Sequence, residues 1–158
     1  MIKQTVYFLL AVLLTAPAFG QQVDPVYRWW NARIGDHFFT TDPTGELAPA
    51  SGYVREGVGF KVLKCQLAGT VPLYRLWSGQ ATDHFYTSNF NEAANASQNL
   101  KYAFEGILGF LYKNYKINTK PVHRYWNPSN TDHFYTINIA AESLGGYNYE
   151  GVVGYAPN

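Results

Sequence analysis

One five-residue motif with an aspartate and a histidine occurs three times in the sequence, and its surroundings could bind a sugar. The motif reads DHFFT from Asp36 and DHFYT from Asp83 and from Asp132, and each copy follows an arginine and a tryptophan at a fixed offset. An aspartate accepts hydrogen bonds from hydroxyl groups, an arginine donates them, and a tryptophan offers an aromatic face to a sugar ring. The candidate ligand-binding residues are therefore Arg28, Trp30, Asp36, Arg75, Trp77, Asp83, Arg124, Trp126 and Asp132.

The same residues also have a structural interpretation. We expect a hairpin with a five-residue loop, in which Trp30 faces Asp36 and Arg28 faces Phe38. On this register the arginine and the aspartate share one face of the hairpin and could pair as a buried latch. Repetition is expected of a latch and of a sugar site alike.

The histidines of the motif suggest a different chemistry. If the three copies converged, their imidazoles could hold a zinc ion and leave a fourth position open for water. A hydrogen-bonded core histidine is the favoured interpretation, so no metal is expected. The residues concerned are His37, His84 and His133.

Three glutamates that precede a glycine could act as general acids or bases. They are Glu56, Glu105 and Glu150. A solvated charge or a partner for a backbone amide is the favoured interpretation. The sequence contains no nucleophile elbow, P-loop, HExxH or CxxC pattern, so we expect neither an enzyme nor a cofactor.

The motif belongs to a longer unit that is repeated with periods of 47 and 49 residues. Each unit has a short run of β-branched and aromatic residues, a polar gap, the motif strand and a last strand with two glycines. A short helical turn is predicted before the last strand, and in the first unit Asp42 and Pro43 could start it. The repeats are predicted at about residues 26–65, 72–115 and 121–158.

Three β-rich units favour a closed repeat fold. We predict a mainly β, β-trefoil-like fold that closes about a pseudo-threefold axis, with a short helical turn in each repeat. Closure would bury the aromatic side chains, 17% of the residues, without the capping units that an open solenoid needs. A three-bladed propeller-like array and a less regular β-rich pseudo-trimer are the alternatives.

The ends and the charge of the chain predict a secreted protein. Residues 1–20 have the charged, apolar and small-residue layout of a signal peptide, which leaves a single domain at 21–158. Without Lys3, the remaining 11 basic and 11 acidic side chains balance. We therefore expect neither nucleic acid nor an anionic membrane as the main partner, and no membrane insertion. Cys65, the one cysteine, is predicted to be a buried and inert thiol.

The segments YRWWN…GDHFFTTDP…GYVREGVGF, YRLWS…DHFYTS…FEGILGF and HRYWNPSNTDHFYT…GYNYEGVVGY resemble a known family. Its tandem units, YRLYNPNTGDHFYTT…GWxYEGIAFY, usually come in threes in secreted and surface proteins of bacteria and fungi, sometimes attached to lysozyme-like enzymes that act on glycans. The family is named for its unknown function. The resemblance implies a threefold β-rich module with a non-catalytic role near glycans.

These observations predict a secreted, lectin-like module. It would bind cell-surface or cell-wall glycans through several sites, without catalysis. The alternative is a protein-binding or protease-inhibitor-like module that presents the variable loops at residues 31–35, 78–82 and 127–131 to a protein partner. A zinc hydrolase is the third candidate.

Overall fold

The computed structural model describes residues 22–158, so the predicted signal peptide lies outside the described residues. Its strands are β1 (Val23–Asn31), β2 (Asp36–Thr40), β3 (Val54–Leu63), β4 (Thr70–Ser78), β5 (Asp83–Thr87), β6 (Ala103–Tyr112), β7 (Thr119–Asn127), β8 (Asp132–Thr136) and β9 (Asn148–Pro157). The helical elements are α1 (Phe90–Asn99) and two single 3-10 turns, Pro49–Ser51 and Ile139–Ala141.

Each repeat consists of three antiparallel strands with its first strand in the middle. In repeat 1, β1 pairs with β2 and β3; β4 does the same with β5 and β6 in repeat 2, and β7 with β8 and β9 in repeat 3. Backbone pairings of β3 with β6 and of β6 with β9 join the repeats into one open nine-stranded sheet. The prediction of a mainly β fold is confirmed.

The register of the motif hairpin differs from the predicted one by one residue. Asn31 pairs with Asp36 and Trp30 with His37, and the hairpins of repeats 2 and 3 pair in the same way. The loop has four residues because the strand continues through Asn31, whose carbonyl accepts a hydrogen bond from the N–H of Gly35 at 2.8 Å. The last loop residue has a positive φ in all three hairpins, at Gly35, Thr82 and Thr131.

This shift overturns the predicted shared face. Because a slip of one residue moves a side chain to the other face of a strand, Asp36 lies on the opposite face of its hairpin from Arg28 and Trp30. The prediction that one hairpin brings these three side chains together is wrong, and so is the predicted latch between its arginine and aspartate.

A β-bulge shapes the last strand of each repeat. Arg28 pairs with Gly57 and Trp29 pairs with Arg55, so Glu56 has no partner on β1. Such an extra residue redirects its side chain, and the positive φ of Gly57, 131°, favours glycine at the next position. Glu105 and Glu150 are bulged in the same way. The glycine-rich last strand of each repeat therefore contains a bulge at its glutamate.

The segment between the motif and the last strand differs among the repeats. Repeat 2 has a helix of ten residues, α1, which Asn89 caps through bonds from the N–H groups of Asn91 and Glu92. Repeats 1 and 3 have only the short 3-10 turns. The predicted start at Asp42 and Pro43 is wrong: the Asp42 carboxylate accepts hydrogen bonds from Thr44 and Glu46 in a turn, and the helical residues begin at Pro49.

The core is centred on one aromatic side chain from each motif strand. The rings of Phe39, Tyr86 and Tyr135 lie 5.3 to 5.7 Å apart and are fully or almost fully buried. The Tyr86 hydroxyl accepts from the N–H of Phe39 and donates to its carbonyl, and Tyr135 bonds to the backbone of Tyr86 in the same way. These side chains therefore tie the repeats together with hydrogen bonds as well as with apolar contacts.

The glycines of the last strands allow close packing between repeats. A Cβ atom at Gly109 would lie 2.4 Å from the Val62 side chain, and one at Gly154 would lie 2.8 Å from Leu111. Gly109 pairs with Leu73 of β4, and Gly154 pairs with Val122 of β7. The corresponding pair in repeat 1 is Phe60 with Val26 of β1. The buried ring of Phe60 lies 6.0 Å from that of Phe39. The last strands of all three repeats have ten residues, and repeat 1 has Phe60 where the other two have a glycine.

Two further features concern the surface. Cys65 is exposed, because it lies in the turn after β3, and the prediction of a buried thiol is wrong. In the part of the chain that the structure describes, no helix has the length and apolar character needed to cross a membrane.

Candidate functional site

The motif aspartates are buried and connect neighbouring repeats. Asp36 has no exposed surface. Its carboxylate accepts hydrogen bonds from the N–H of His84 at 2.9 Å, from Nδ1 of His84 at 2.6 Å and from the Tyr53 hydroxyl at 2.5 Å. Asp83 binds His133 and Tyr102 in the same way, and Asp132 binds His37 and Tyr147. Each aspartate therefore fixes the histidine of another repeat, and the third repeat bonds back to the first.

Burial determines the protonation of these groups. It raises the pKa of Asp36, although the bonds from His84 and Tyr53 act in the opposite direction. Burial and the neighbouring aspartate also raise the pKa of Tyr53, so its hydroxyl keeps the proton that it donates. When Asp36 is ionised its carboxylate only accepts, so the His84 proton that faces it is then on Nδ1. This leaves Nε2 of the histidine to face away from the aspartate.

The structure brings the three aspartates together, and not the three histidines. Oxygen atoms of Asp36, Asp83 and Asp132 lie within 4.8 Å of one another, and this is the one group of three possible metal ligands among residues 22–158. His37, His84 and His133 do not form such a group, because each ring is held by a different aspartate. The alternative interpretation of these histidines as a three-histidine zinc site therefore has no support among residues 22–158.

A cleft lies at each junction between two repeats. Cleft A, between repeats 1 and 2, has a volume of about 400 Å³. Cleft B, between repeats 2 and 3, has about 380 Å³, and cleft C, between repeats 3 and 1, has about 410 Å³. All three lie in the size range of small-ligand sites. A tryptophan, a histidine and a bulged glutamate from one repeat line each cleft opposite a phenylalanine, a tyrosine and a glutamate from the other.

In every cleft the ring of a partly exposed tryptophan stacks on the ring of the fixed histidine. In cleft A the Trp77 ring lies 4.4 Å from the His84 ring, which lies 4.7 Å from the Phe38 ring of repeat 1. In clefts B and C, Trp126 and Trp30 lie 4.4 and 4.3 Å from His133 and His37, with Phe85 and Phe134 behind the histidines. The three tryptophans therefore have matching surroundings, and the buried Asp–His pairs hold the platforms on which they stack.

The motif arginines pair with glutamates, and not with the predicted aspartates. Arg75 binds Glu46 of repeat 1 through both terminal nitrogens, at 2.6 and 3.1 Å, and its Nε lies 3.0 Å from the bulged Glu105. It also lies over the Phe38 ring, 5.2 Å from the centroid. The arginine therefore crosses the junction beside cleft A, held by two carboxylates and one aromatic face.

Arg28 and Arg124 repeat this arrangement. Arg124 donates two hydrogen bonds to Glu92, each of 2.9 Å. Its Nε lies 2.8 Å from Glu150 and forms an ion pair with it, without the geometry of a hydrogen bond. Arg28 pairs with Glu142 and Glu56, both at 2.8 Å. The bulged glutamates thus have a defined partner, whereas the sequence favoured a solvated charge or a backbone amide.

The pKa values of two glutamates follow from these contacts. Burial raises the pKa of Glu46, but the hydrogen bonds from Arg75 and Thr40 outweigh it and leave the pKa below its usual value. Burial likewise raises the pKa of Glu92, and the bonds from Arg124 and Thr87 outweigh it. These carboxylates therefore remain ionised in mild acid.

Sequence reasoning missed two sets of cleft residues. The glutamates that reach the next repeat, Glu46, Glu92 and Glu142, each accept a hydrogen bond from the motif threonine, and they follow that threonine by six, five and six residues. The tyrosines that bind the aspartates, Tyr53, Tyr102 and Tyr147, each stand three residues before a bulged glutamate. The fixed Tyr-x-x-Glu-Gly spacing was the signal that could have identified the tyrosines.

The clefts combine an aromatic platform with groups that bind hydroxyls. The histidine Nε2 has no hydrogen bond in the described part of the chain, and in clefts C and B it lies 3.7 Å from the bulged glutamate. Carboxylate oxygens with free lone pairs lie beside it. Fold and clefts together define a class: a small β protein of three repeats, with a half-open polar and aromatic cleft at each junction.

The chain belongs to the family described as Domain of unknown function (DUF5648). Two overlapping matches cover residues 10–112 and 82–158, as a repeated unit would produce. No curated protein and no solved structure matches the chain significantly. The attachment of such units to lysozyme-like enzymes stays a prediction.

Proposed function

We propose that this protein binds carbohydrates without catalysis, through the three clefts between its repeats. The observation that carries the proposal is the partly exposed tryptophan ring that stacks on a fixed histidine in every cleft. A fixed aromatic ring bordered by carboxylates is suited to a sugar ring, which has an apolar face and hydroxyls at its edge.

The central aspartates have no direct part in this proposal. Their oxygens are buried and already accept three hydrogen bonds each, so they act as positioning residues for the histidines. The proposed ligand groups in cleft A are Trp77, His84 and Glu105, and the equivalents in the other clefts are Trp126, His133, Glu150, Trp30, His37 and Glu56.

Three clefts on one rigid body favour a repeated glycan. A cleft of this volume admits one or two sugar rings, so a single contact would be weak. Engagement of two or three clefts by one polymer or one surface raises the avidity by about 10²-fold or more when the spacing fits. A cell-surface or cell-wall polysaccharide has the required repetition, and we propose that the protein is secreted to meet it.

The architecture that best accommodates these contacts is a β-trefoil-like arrangement about a pseudo-threefold axis. Three features support it: the cyclic order of the Asp–His bonds, the convergence of the three aspartates, and the three mutually packed rings of Phe39, Tyr86 and Tyr135. On this arrangement the pseudo-threefold axis relates the three clefts to one another.

A panel of immobilised polysaccharides tests the proposed function. We expect the protein to bind at least one of them, and Trp30→Ala, Trp77→Ala and Trp126→Ala each to weaken binding several-fold, with the triple variant abolishing it. Trp29→Phe is the matched control, since Trp29 is buried and lines none of the clefts. Failure to bind any glycan by a folded protein, or equal binding by the triple variant, would refute the proposal. Capture of a protein partner that sugars do not displace would support the protein-binding alternative.

A further inference from the structure

The charges around each cleft point to a particular class of sugar. In cleft C, Arg28 contacts Glu142 through Nη1 and Glu56 through Nε, both at 2.8 Å. In cleft B, Arg124 contacts Glu92 and Glu150 in the same manner. One guanidinium therefore neutralises one of two carboxylates, and clefts B and C each retain one unbalanced negative charge.

The buried Asp–His pairs do not supply the missing positive charge. A protonated histidine and an ionised aspartate cancel, and a neutral histidine leaves the aspartate charge in addition. In cleft C the pair is His37 with Asp132, and in cleft B it is His133 with Asp83. The net charge around each of these clefts is thus negative whichever form the histidine takes.

We propose that clefts B and C select a sugar that carries a protonated amine, such as a glucosamine unit without its acetyl group. This proposal rests on the proposed glycan binding and adds the ligand class. The tryptophan ring stacks on the sugar, and its amine lies beside the bulged glutamate, where both the carboxylate and the aromatic rings attract a cation. An anionic sugar would meet the same charge as repulsion.

Cleft A differs and serves as an internal control. Its lining includes Arg33, from the hairpin loop of repeat 1, in addition to Glu46 and Glu105 with Arg75 beside them. The two arginines and the two glutamates balance. The corresponding loop positions of repeats 2 and 3 carry Gln80 and Ser129, which have no charge. Cleft A is therefore expected to bind neutral and aminated sugars about equally.

The test is a titration with three oligosaccharides of equal length: glucosamine, N-acetylglucosamine and galacturonate oligomers. The indole N–H signals of Trp30, Trp77 and Trp126 report each cleft separately by NMR, at about pH 6, where an amine is protonated. At low salt we expect the glucosamine oligomer to bind clefts B and C about three- to tenfold more tightly than the acetylated one. The galacturonate oligomer should bind at least about tenfold more weakly, and about 0.5 M NaCl should reduce all these differences.

A charge variant in one cleft gives the matched comparison. Glu142→Gln keeps the size of the side chain and a hydrogen-bond acceptor but removes the unbalanced charge of cleft C. The preference reported by Trp30 should then fall to about one, while the preference reported by Trp126 stays. A second variant, Arg33→Ser, removes the additional positive charge of cleft A. It should create a preference for the aminated oligomer in that cleft, as reported by the Trp77 signal.

The outcomes separate this inference from the function on which it rests. If Trp30 and Trp126 respond equally to the neutral and the aminated oligomer, the charge selection is wrong and glycan binding stands. If a polysaccharide panel and all three oligomers leave the tryptophan signals unchanged, the glycan function itself is wrong. Displacement of the aminated oligomer by a lysine-rich peptide at a lower concentration would overturn the assignment to a sugar.

Discussion

The aspartates at the centre and the tryptophans in the clefts are repeated equally in the sequence, yet the structure treats them differently. Asp36, Asp83 and Asp132 have no exposed surface, and each accepts hydrogen bonds from a histidine of another repeat and from a tyrosine of its own repeat. The tryptophans are partly exposed, and each stacks on a histidine that one of these aspartates orients. Repetition alone therefore does not separate the two groups of residues, whereas burial and free hydrogen-bonding capacity do.

The largest effect is expected from removal of a central aspartate. Asp36→Ala leaves the buried His84 and the Tyr53 hydroxyl without their shared partner, so we expect a loss of about 3–5 kcal/mol in the free energy of unfolding. Trp77→Ala, in the cleft that the same histidine borders, should cost less than about 2 kcal/mol. Chemical denaturation of both variants measures the difference. Equal losses would remove the distinction between centre and cleft.

The tyrosines of the core allow a second test of the centre. Tyr86→Phe removes a hydroxyl that bonds to the N–H and the carbonyl of Phe39, and we expect a loss of about 1–3 kcal/mol because these backbone groups are buried. Phe39→Tyr is the reverse substitution, at the one repeat that lacks the hydroxyl, and should be neutral or stabilising by up to about 1 kcal/mol. A strongly destabilised Phe39→Tyr variant would contradict equivalent packing of the three rings.

The paired glycines of β6 both have a positive φ, 146° at Gly106 and 158° at Gly109, but they differ in the space that surrounds them. Gly109→Ala places a Cβ atom 2.4 Å from Val62 and should cost about 1–3 kcal/mol. Gly106→Ala meets no atom within 4 Å, so its cost should be limited to about 1 kcal/mol from the positive φ. Thermal unfolding of the two variants distinguishes these causes, and a larger cost at Gly106 would contradict the close approach of β6 to β3.

The smallest expected effect is a difference in pH dependence between cleft and centre. The lowered pKa of Glu46 means that its ion pair stabilises the fold above about pH 4.5 and is lost as the pH falls through the folded-state pKa. Because Glu46 is partly exposed, the contribution should be less than about 1 kcal/mol. Unfolding of wild type and Glu46→Gln from about pH 6 to pH 3 should show a gap that closes in acid.

Asp36 should show the opposite slope. Its pKa is raised, so its contribution is complete below the unfolded-state pKa of 3.8 and decreases as the pH rises through the folded-state value. Asp36→Asn cannot titrate and provides the reference. If the two carboxylates changed stability in the same direction with pH, the assigned environments would be wrong.

Most of the local elements could be predicted from the sequence, because they depend on local chemistry. The runs of aromatic and β-branched residues identified the strands, and the paired glycines marked the last strand of each repeat. The hairpin register could not be read in this way. Thr82 and Thr131 adopt the positive φ that ends the loop, although neither is a residue that typically marks such a position.

The site was harder to predict because it forms between repeats. The sequence identified Trp30, Trp77 and Trp126 and the three arginines, but it assigned their partners within the same hairpin. The tryptophans stack on the histidine of their own hairpin, whereas each arginine pairs with the bulged glutamate of its own repeat and with a second glutamate of another repeat. Glu46, Glu92 and Glu142 were missed because they follow the motif threonine by six, five and six residues, so no fixed spacing marks them. Only the packing of whole repeats brings these side chains together.

The four tryptophans provide the most direct measurement of the central claim. Trp30, Trp77 and Trp126 line the clefts, whereas Trp29 is buried with 6% exposure and lines none of them. A proton–nitrogen NMR spectrum resolves one indole signal for each. On titration with a glycan that binds, we predict that the three cleft signals shift together with saturation and that the Trp29 signal does not. Saturable binding that leaves all three cleft signals in place would contradict the account.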